Sequence, residues 1–221
     1  MNEDIQVNNA NTEKELGFFG RIGAFLSKNT DIILKMLVHQ FGLTVFGFLL
    51  NSAASVSDNK TLVIAFGVFS AVFYLFLLYV VAWEVGAKDK IKIEAGRMKR
   101  DIFKGAKMNL VANIPNILVA TLALVGFIFI DKSIMEPALE GGVELYTTPA
   151  WAVNLRGIAQ VIGSFLNGMY LGIGQYFDII SEIWFLYVVC LPSIIVCGVG
   201  YFLGTYEKYG VFASSGSGQQ K

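Results

Sequence analysis

Three stretches of the chain are apolar and uncharged over at least 21 residues each: 61–83, 109–130 and 183–203. The hydrocarbon core of a bilayer is about 30 Å thick, so a helix needs about 20 apolar residues to cross it. Aromatic residues lie near the ends of these stretches, as is typical of the membrane interface, at Trp83, Trp184 and Tyr201. The pattern predicts three transmembrane helices.

A fourth span is predicted at about 33–55, although its first turns are polar and its continuous apolar run begins only at Phe41. Lys35 would extend its ammonium group to the headgroups from these first turns. Ahead of it, residues 17–29 have the pattern of a short amphipathic helix on the membrane surface. The sequence thus predicts an all-α integral membrane helix bundle, residues 17–205, with four transmembrane helices plus amphipathic interfacial helices.

Residues 151–182 are also long enough to span, but one face of the predicted helix is polar. Its stripe consists of Arg156, Gln160, Ser164, Asn167, Gln175, Asp178 and Glu182. Such a helix more often lies in the interface or across the mouth of a bundle, and a fifth span is the alternative. Small residues at four-residue spacing favour close packing on another helix; they are Ser164, Gly168 and Gly172.

The charges along the chain predict its orientation. Eight of the 17 lysines and arginines fall within residues 85–107, so this loop is expected on the cytoplasmic side. Residues 131–182 carry six acidic and two basic side chains and are expected outside. With four spans, the flexible tails 1–16 and 206–221 would both be cytoplasmic, and the predicted location is the plasma membrane. The polar first 16 residues do not have the pattern of a signal peptide.

The basic loop has its own periodicity, with an apolar stripe at Ile91, Ala95, Met98, Ile102 and Ala106. This pattern predicts an elbow helix over 85–107 that lies on the anionic inner leaflet. The predicted contacts with anionic lipid, or with a membrane or cytosolic protein partner, are Arg97, Lys99, Arg100, Lys104 and Lys107. The alternative is that these charges only fix the topology.

Composition narrows the class of protein. The chain is 55% hydrophobic and 15% charged, with a mean hydropathy of +0.59, which excludes a water-soluble single domain. The net charge of zero argues against a nucleic-acid partner. Cys190 and Cys197 are two turns apart in one predicted helix, about 10 Å, so they cannot form a disulfide there.

The candidate chemistry lies in the third span, where Asn109, Asn113 and Asn116 share a helical face beside Pro115. Amides are costly in hydrocarbon, so this face is expected to point into the bundle. Hydrogen bonding between helices is the simplest role, and a site for a small polar solute or ion is the sharper hypothesis. His39, the one histidine, is a further candidate for this polar site, but one imidazole does not make a zinc site.

No catalytic, metal or cofactor motif is recognisable, so we expect a non-enzymatic protein without a cofactor. The first hypothesis is a subunit of a membrane complex or transport system, because few polar groups lie within the predicted spans. The alternative is a stand-alone channel or transporter for a small solute. An intramembrane enzyme that uses Lys35 and His39 is a third hypothesis.

Overall fold

The computed structural model describes residues 17–57, 59–134 and 149–206, and within them every regular element is helical. The predicted tail 1–16, residues 207–221 of the predicted tail 206–221, and residues 135–148 of the predicted external loop lie outside the described residues. The helices are α1 (Phe18–Ser55), α2 (Lys60–Glu94), α3 (Lys104–Ala112), α4 (Ile114–Ile134), α5 (Ala150–Leu166), α6 (Leu171–Tyr176), α7 (Ile183–Val188) and α8 (Cys190–Thr205), with a 3₁₀ turn at Gly168–Tyr170.

Three of these helical segments are long and apolar enough to cross a membrane: α1, α2, and α7 with α8 taken as one segment, Ile183–Thr205. A fourth results if α3 and α4 form a single bent span. The predicted all-α class is therefore confirmed for the described residues, and the apolar helices fit a membrane protein. Cys190 and Cys197 are buried free thiols.

Helix α1 is continuous, so the surface helix predicted at 17–29 and the span predicted at 33–55 belong to one helix without a break between them. No proline or positive-φ residue interrupts α1. The side chains of Asn29 and Thr30 donate hydrogen bonds to the carbonyls of Phe25 and Leu26 one turn earlier, both at 2.7 Å. These polar residues are thereby accommodated without a break.

The predicted elbow helix over 85–107 is wrong, because α2 continues to Glu94 and then ends at a glycine. Gly96 has a φ of 69°. The N–H of Arg97 reaches back to the carbonyl of Lys92 at 2.9 Å, and that of Gly96 to Ile93 at 3.0 Å. This is the usual termination of a helix by a left-handed glycine. Residues 95–103 consequently form a turn between two antiparallel helices.

The helix predicted over 109–130 begins earlier, at Lys104, and is bent. The chain turns by 53° between α3 and α4, at Asn113. Pro115 explains the bend, since it has no N–H to donate to the carbonyl of Val111 and its ring crowds the preceding turn. The amide side chain of Asn113 is therefore placed at the corner of a broken helix.

The helices define two ends of the bundle. The basic end is where α2 ends and α3 and α1 begin, and the hairpin end is where α1 ends and α2 begins. Helix α8 runs parallel to α2, because Cys197 lies beside Leu78 and Gly204 beside Gly86. Helix α3 runs antiparallel to α8, with Gly105 against Cys197. The last turn of α8 thus reaches the basic end.

Residues 150–176 form a helical hairpin that enters the bundle and returns to the same end. On the way in, α5 packs along α4, with the rings of Trp151 and Phe129 4.9 Å apart. After the reversal at 167–170, Gly172 lies against Gly67 of α2. The amide of Asn51, near the end of α1, then donates to Gln175 at 2.9 Å. Both arms of the hairpin therefore open at the hairpin end.

This hairpin corrects the prediction of one continuous helix over 151–182, whether interfacial or spanning. Asn167 ends α5, and its side chain donates to the carbonyl of Gly163 at 2.8 Å. The apex, defined as residues 166–172, is buried throughout. It meets α2 at Ser70, ten residues from the start of that helix, which is about 15 Å along its axis.

Candidate functional site

The apex of the hairpin is held by hydroxyl groups from α1 and α2. Thr44 donates to the carbonyl of Leu166 at 2.8 Å, and Ser70 donates to that of Met169 at 2.7 Å. These carbonyls lie where the helix is broken and lack their usual partners. Within a membrane, such backbone is tolerated only where protein or a water-filled cavity surrounds it.

Glycines bring the apex into backbone contact with both long helices. A Cβ atom on Gly47 of α1 would lie 2.5 Å from the Cα of Met169, and one on Gly67 of α2 would lie 2.7 Å from the backbone nitrogen of Ile173. Gly172 meets Gly67 from the other side. The small residues of the hairpin therefore serve close packing.

The three predicted asparagines come together with a serine from α8, forming the asparagine cluster: Asn109, Asn113, Asn116 and Ser193. The Nδ2 of Asn113 donates to Asn109 Oδ1 at 2.9 Å and lies 3.2 Å from Ser193 Oγ. Ser193 donates to Asn109 Oδ1 at 2.9 Å, and Asn116 donates to Asn113 Oδ1 at 3.0 Å. All four side chains are buried. The bend between α3 and α4 is thus joined to the start of α8.

Three further buried side chains connect the asparagine cluster to the hairpin apex. The rings of Tyr74 on α2 and Tyr170 at the apex meet edge to face, with centroids 6.2 Å apart. The Tyr74 hydroxyl reaches Ser193. Cys190 contacts the Asn116 side chain. Breaks in three helical segments, at Asn113, at Asn167 to Tyr170 and at Val189, therefore surround one polar region.

Among the described residues, two polar atoms in this region have no hydrogen-bond partner: Asn116 Oδ1 and the Tyr170 hydroxyl. Their residues are only 3% and 6% exposed. Leaving a buried donor or acceptor unsatisfied costs about 1–3 kcal/mol, so most buried polar groups in proteins are paired. These two atoms are therefore candidates for hydrogen bonds to a bound molecule.

His39, the fourth residue of the predicted polar site, lies apart from the asparagine cluster. It is partly exposed, and its Nδ1 lies 2.6 Å from the carbonyl of Lys35 in its own helix. Among the described residues, no three histidine, cysteine, aspartate or glutamate side chains are grouped so that they could hold a metal ion.

Lys104 is not on the surface where it was predicted. It is buried at the first turn of α3, and its Nζ forms an ion pair with Asp89 Oδ2 of α2 at 2.6 Å. Tyr201 of α8 donates to the same oxygen at 3.1 Å. Lys104 is buried because the neighbouring Gly105 lets α3 approach the backbone of α8 closely. This triad, Asp89, Lys104 and Tyr201, joins three helices at the basic end.

The other four predicted basic contacts are exposed, at Arg97, Lys99, Arg100 and Lys107. Arg100 donates to the Tyr206 hydroxyl at 2.6 Å, and Lys107 pairs with Asp101 at 2.8 Å. Large apolar side chains are exposed beside them: Ile91, Ile102 and Phe103. Together these seven residues form the basic surface.

The sequence did not indicate which residues of α1 and α2 contact the hairpin, nor that Asp89 is buried. Thr44, Ser70 and Tyr74 are single polar residues in apolar helices, and nothing in their local pattern indicates what they contact. Asp89 was visible as an acidic residue within the basic loop, but its partner is 15 residues away.

No protein family, curated protein or solved structure matches the chain. The function must therefore be argued from the geometry of the hairpin, the asparagine cluster and the two ends of the bundle.

Proposed function

We propose that the chain is a four-span protein of the plasma membrane, in which α1, α2, α3 with α4, and α7 with α8 cross the bilayer. The basic end is cytoplasmic, since short basic loops remain on that side. Both the start of α1 and the end of α8 lie at this end. The basic surface contacts anionic lipid, with Ile91, Ile102 and Phe103 in the interface and the cationic groups at the headgroups.

Within this bundle the hairpin supports transport of a small solute, the second of the three hypotheses that the sequence left open. The observation that carries the proposal is the hairpin apex, broken and buried beside the asparagine cluster. In many transporters, broken helices place backbone and polar side chains near the bilayer midplane, where the substrate binds. A purely structural subunit has no need for two unpartnered polar atoms in its interior.

The entry on the external side is proposed at a pocket between the end of the hairpin and the start of α2. It is lined by Lys60, Val63, Gln175 and Tyr176. Asn51 donates to Gln175 beside it and has its own Oδ1 unpartnered. Polar groups thus extend from this pocket toward the apex.

Uptake into proteoliposomes tests the proposal, with urea, glycerol, potassium and chloride as probes. At least one probe should enter faster than into protein-free vesicles. Gly47→Ala should abolish that uptake because it displaces the apex, whereas Gly42→Ala in the same helix, where an added Cβ meets nothing within 4 Å, should retain it.

If no probe enters faster than into protein-free vesicles, the transport proposal is wrong. A second protein that co-purifies in fixed ratio after mild detergent extraction, together with the absence of uptake, would instead support the subunit of a membrane complex. The exposed basic surface would then be the place to seek that partner.

A further inference from the structure

We infer that Asn116 and Tyr170 form the binding site for the transported solute, and that this solute is a small uncharged molecule with both a hydrogen-bond donor and an acceptor. The inference rests on the proposed transport function and adds the chemical class of the substrate.

The solute is inferred to be uncharged because the side chains around Asn116 and Tyr170 are uncharged. The asparagine cluster, Cys190 and the two tyrosines offer amides, hydroxyls and a thiol, and none of these carries a charge at neutral pH with its ordinary pKa. A buried ion requires an opposite charge or several aligned dipoles to offset its loss of hydration. A neutral solute requires only hydrogen bonds.

The need for a donor and an acceptor follows from the two unpartnered atoms. Asn116 Oδ1 is an amide oxygen and can only accept, so the solute must donate to it. The Tyr170 hydroxyl can donate, so the solute can accept from it. The Nδ2 of Asn116 is already used toward Asn113, which fixes the direction of its oxygen.

The small size of the solute follows from the packing. Asn116 of α4 contacts Cys190. Tyr170 of the hairpin apex packs against the ring of Tyr74, whose hydroxyl reaches Ser193 of the asparagine cluster. Asn116 and Tyr170 are only 3% and 6% exposed, so the solute proposed between these side chains has a few heavy atoms, on the scale of urea.

Urea and guanidinium form a matched pair of probes, because they have the same planar shape but differ in charge and in the acceptor oxygen. Uptake of each labelled probe into proteoliposomes should show urea entering at least about 10-fold faster than guanidinium. Tyr170→Phe and Asn116→Leu should each reduce urea uptake about 5-fold or more. Tyr187→Phe is the control, since that hydroxyl contacts the exposed Thr121 at 3.2 Å.

The outcomes separate the two proposals. Entry of guanidinium or potassium without urea would overturn the neutral class and leave transport standing. Entry of urea that is unchanged in Tyr170→Phe and Asn116→Leu would overturn the site, provided that both variants elute as folded protein in size-exclusion chromatography. If Asn116→Leu does not fold, Tyr170→Phe alone decides. Failure of all probes to enter would contradict the transport function itself.

Discussion

Replacing Lys104 with methionine is expected to destabilise the bundle by about 3 kcal/mol or more. The substitution keeps the length of the side chain but leaves Asp89 buried without its closest cation, and breaking a buried ion pair from one side typically costs about 3–5 kcal/mol. The Tyr201 hydroxyl at 3.1 Å supplies a hydrogen bond but no positive charge. Lys92 stays 3.4 Å from the other carboxylate oxygen, but its side chain is 58% exposed, so it offsets only part of the lost charge. Unfolding by sodium dodecyl sulfate in mixed micelles, followed by circular dichroism, measures the change.

Two further variants separate the ion pair from a general effect of substitution in α3. Lys107→Met removes a half-exposed ion pair with Asp101 and should cost at most about 1 kcal/mol. The double variant Asp89→Leu, Lys104→Met removes both charges and should recover most of the lost stability. Equal effects of Lys104→Met and Lys107→Met would show that the triad does not hold the basic end together.

Replacing Gly47 with alanine is expected to cost about 3 kcal/mol or more and to release the apex from α1. The new Cβ would lie 2.5 Å from the Cα of Met169 and 2.7 Å from its backbone nitrogen. Because both atoms belong to the backbone, no side-chain rotation relieves the clash, and the apex must move away. The same unfolding assay gives the free energy, and hydrogen exchange at residues 166–172 reports the release.

Gly42→Ala is the matched control for this prediction. Gly42 lies in the same helix, and its added Cβ meets nothing within 4 Å. An interior glycine in a helix is about 0.5–1 kcal/mol less favourable than alanine, so this variant should be as stable as the parent or slightly more stable. If both alanines have the same effect on stability, the contact between α1 and the apex is not as close as described.

The features that were predictable from the sequence are those that depend on residues close together along the chain. Long uncharged apolar runs at 61–83 and 183–203 located two of the helical segments that are long and apolar enough to cross a membrane. The spacing of the three asparagines placed them on one helical face, and burial of all three followed from the cost of amides in hydrocarbon. Gly96 and Pro115, where the helices break, are both residues that commonly interrupt a helix. At Gly96, however, the apolar stripe on either side led to the prediction of one continuous helix.

The hairpin was not predictable, because its cause lies in other helices. Within residues 151–182 the polar stripe and the small residues fit one continuous helix. The reversal depends on hydroxyls from Thr44 and Ser70 and on the room that Gly47 and Gly67 provide. The pair of Asp89 with Lys104 similarly depends on the turn at 95–103, which brings α3 back against α2. Such contacts have no periodicity along the chain.

The central claim is that residues 150–176 dip into the bundle and return to the side from which they came. Single cysteines at Asn154, Asp178 and Arg97, in a chain with Cys190 and Cys197 replaced by alanine, can be labelled with an impermeant maleimide in sealed vesicles of known orientation. The hairpin predicts that positions 154 and 178 react from the same side and position 97 from the opposite side. Reaction of positions 154 and 178 from opposite sides would show that this segment crosses the membrane, which would contradict the hairpin.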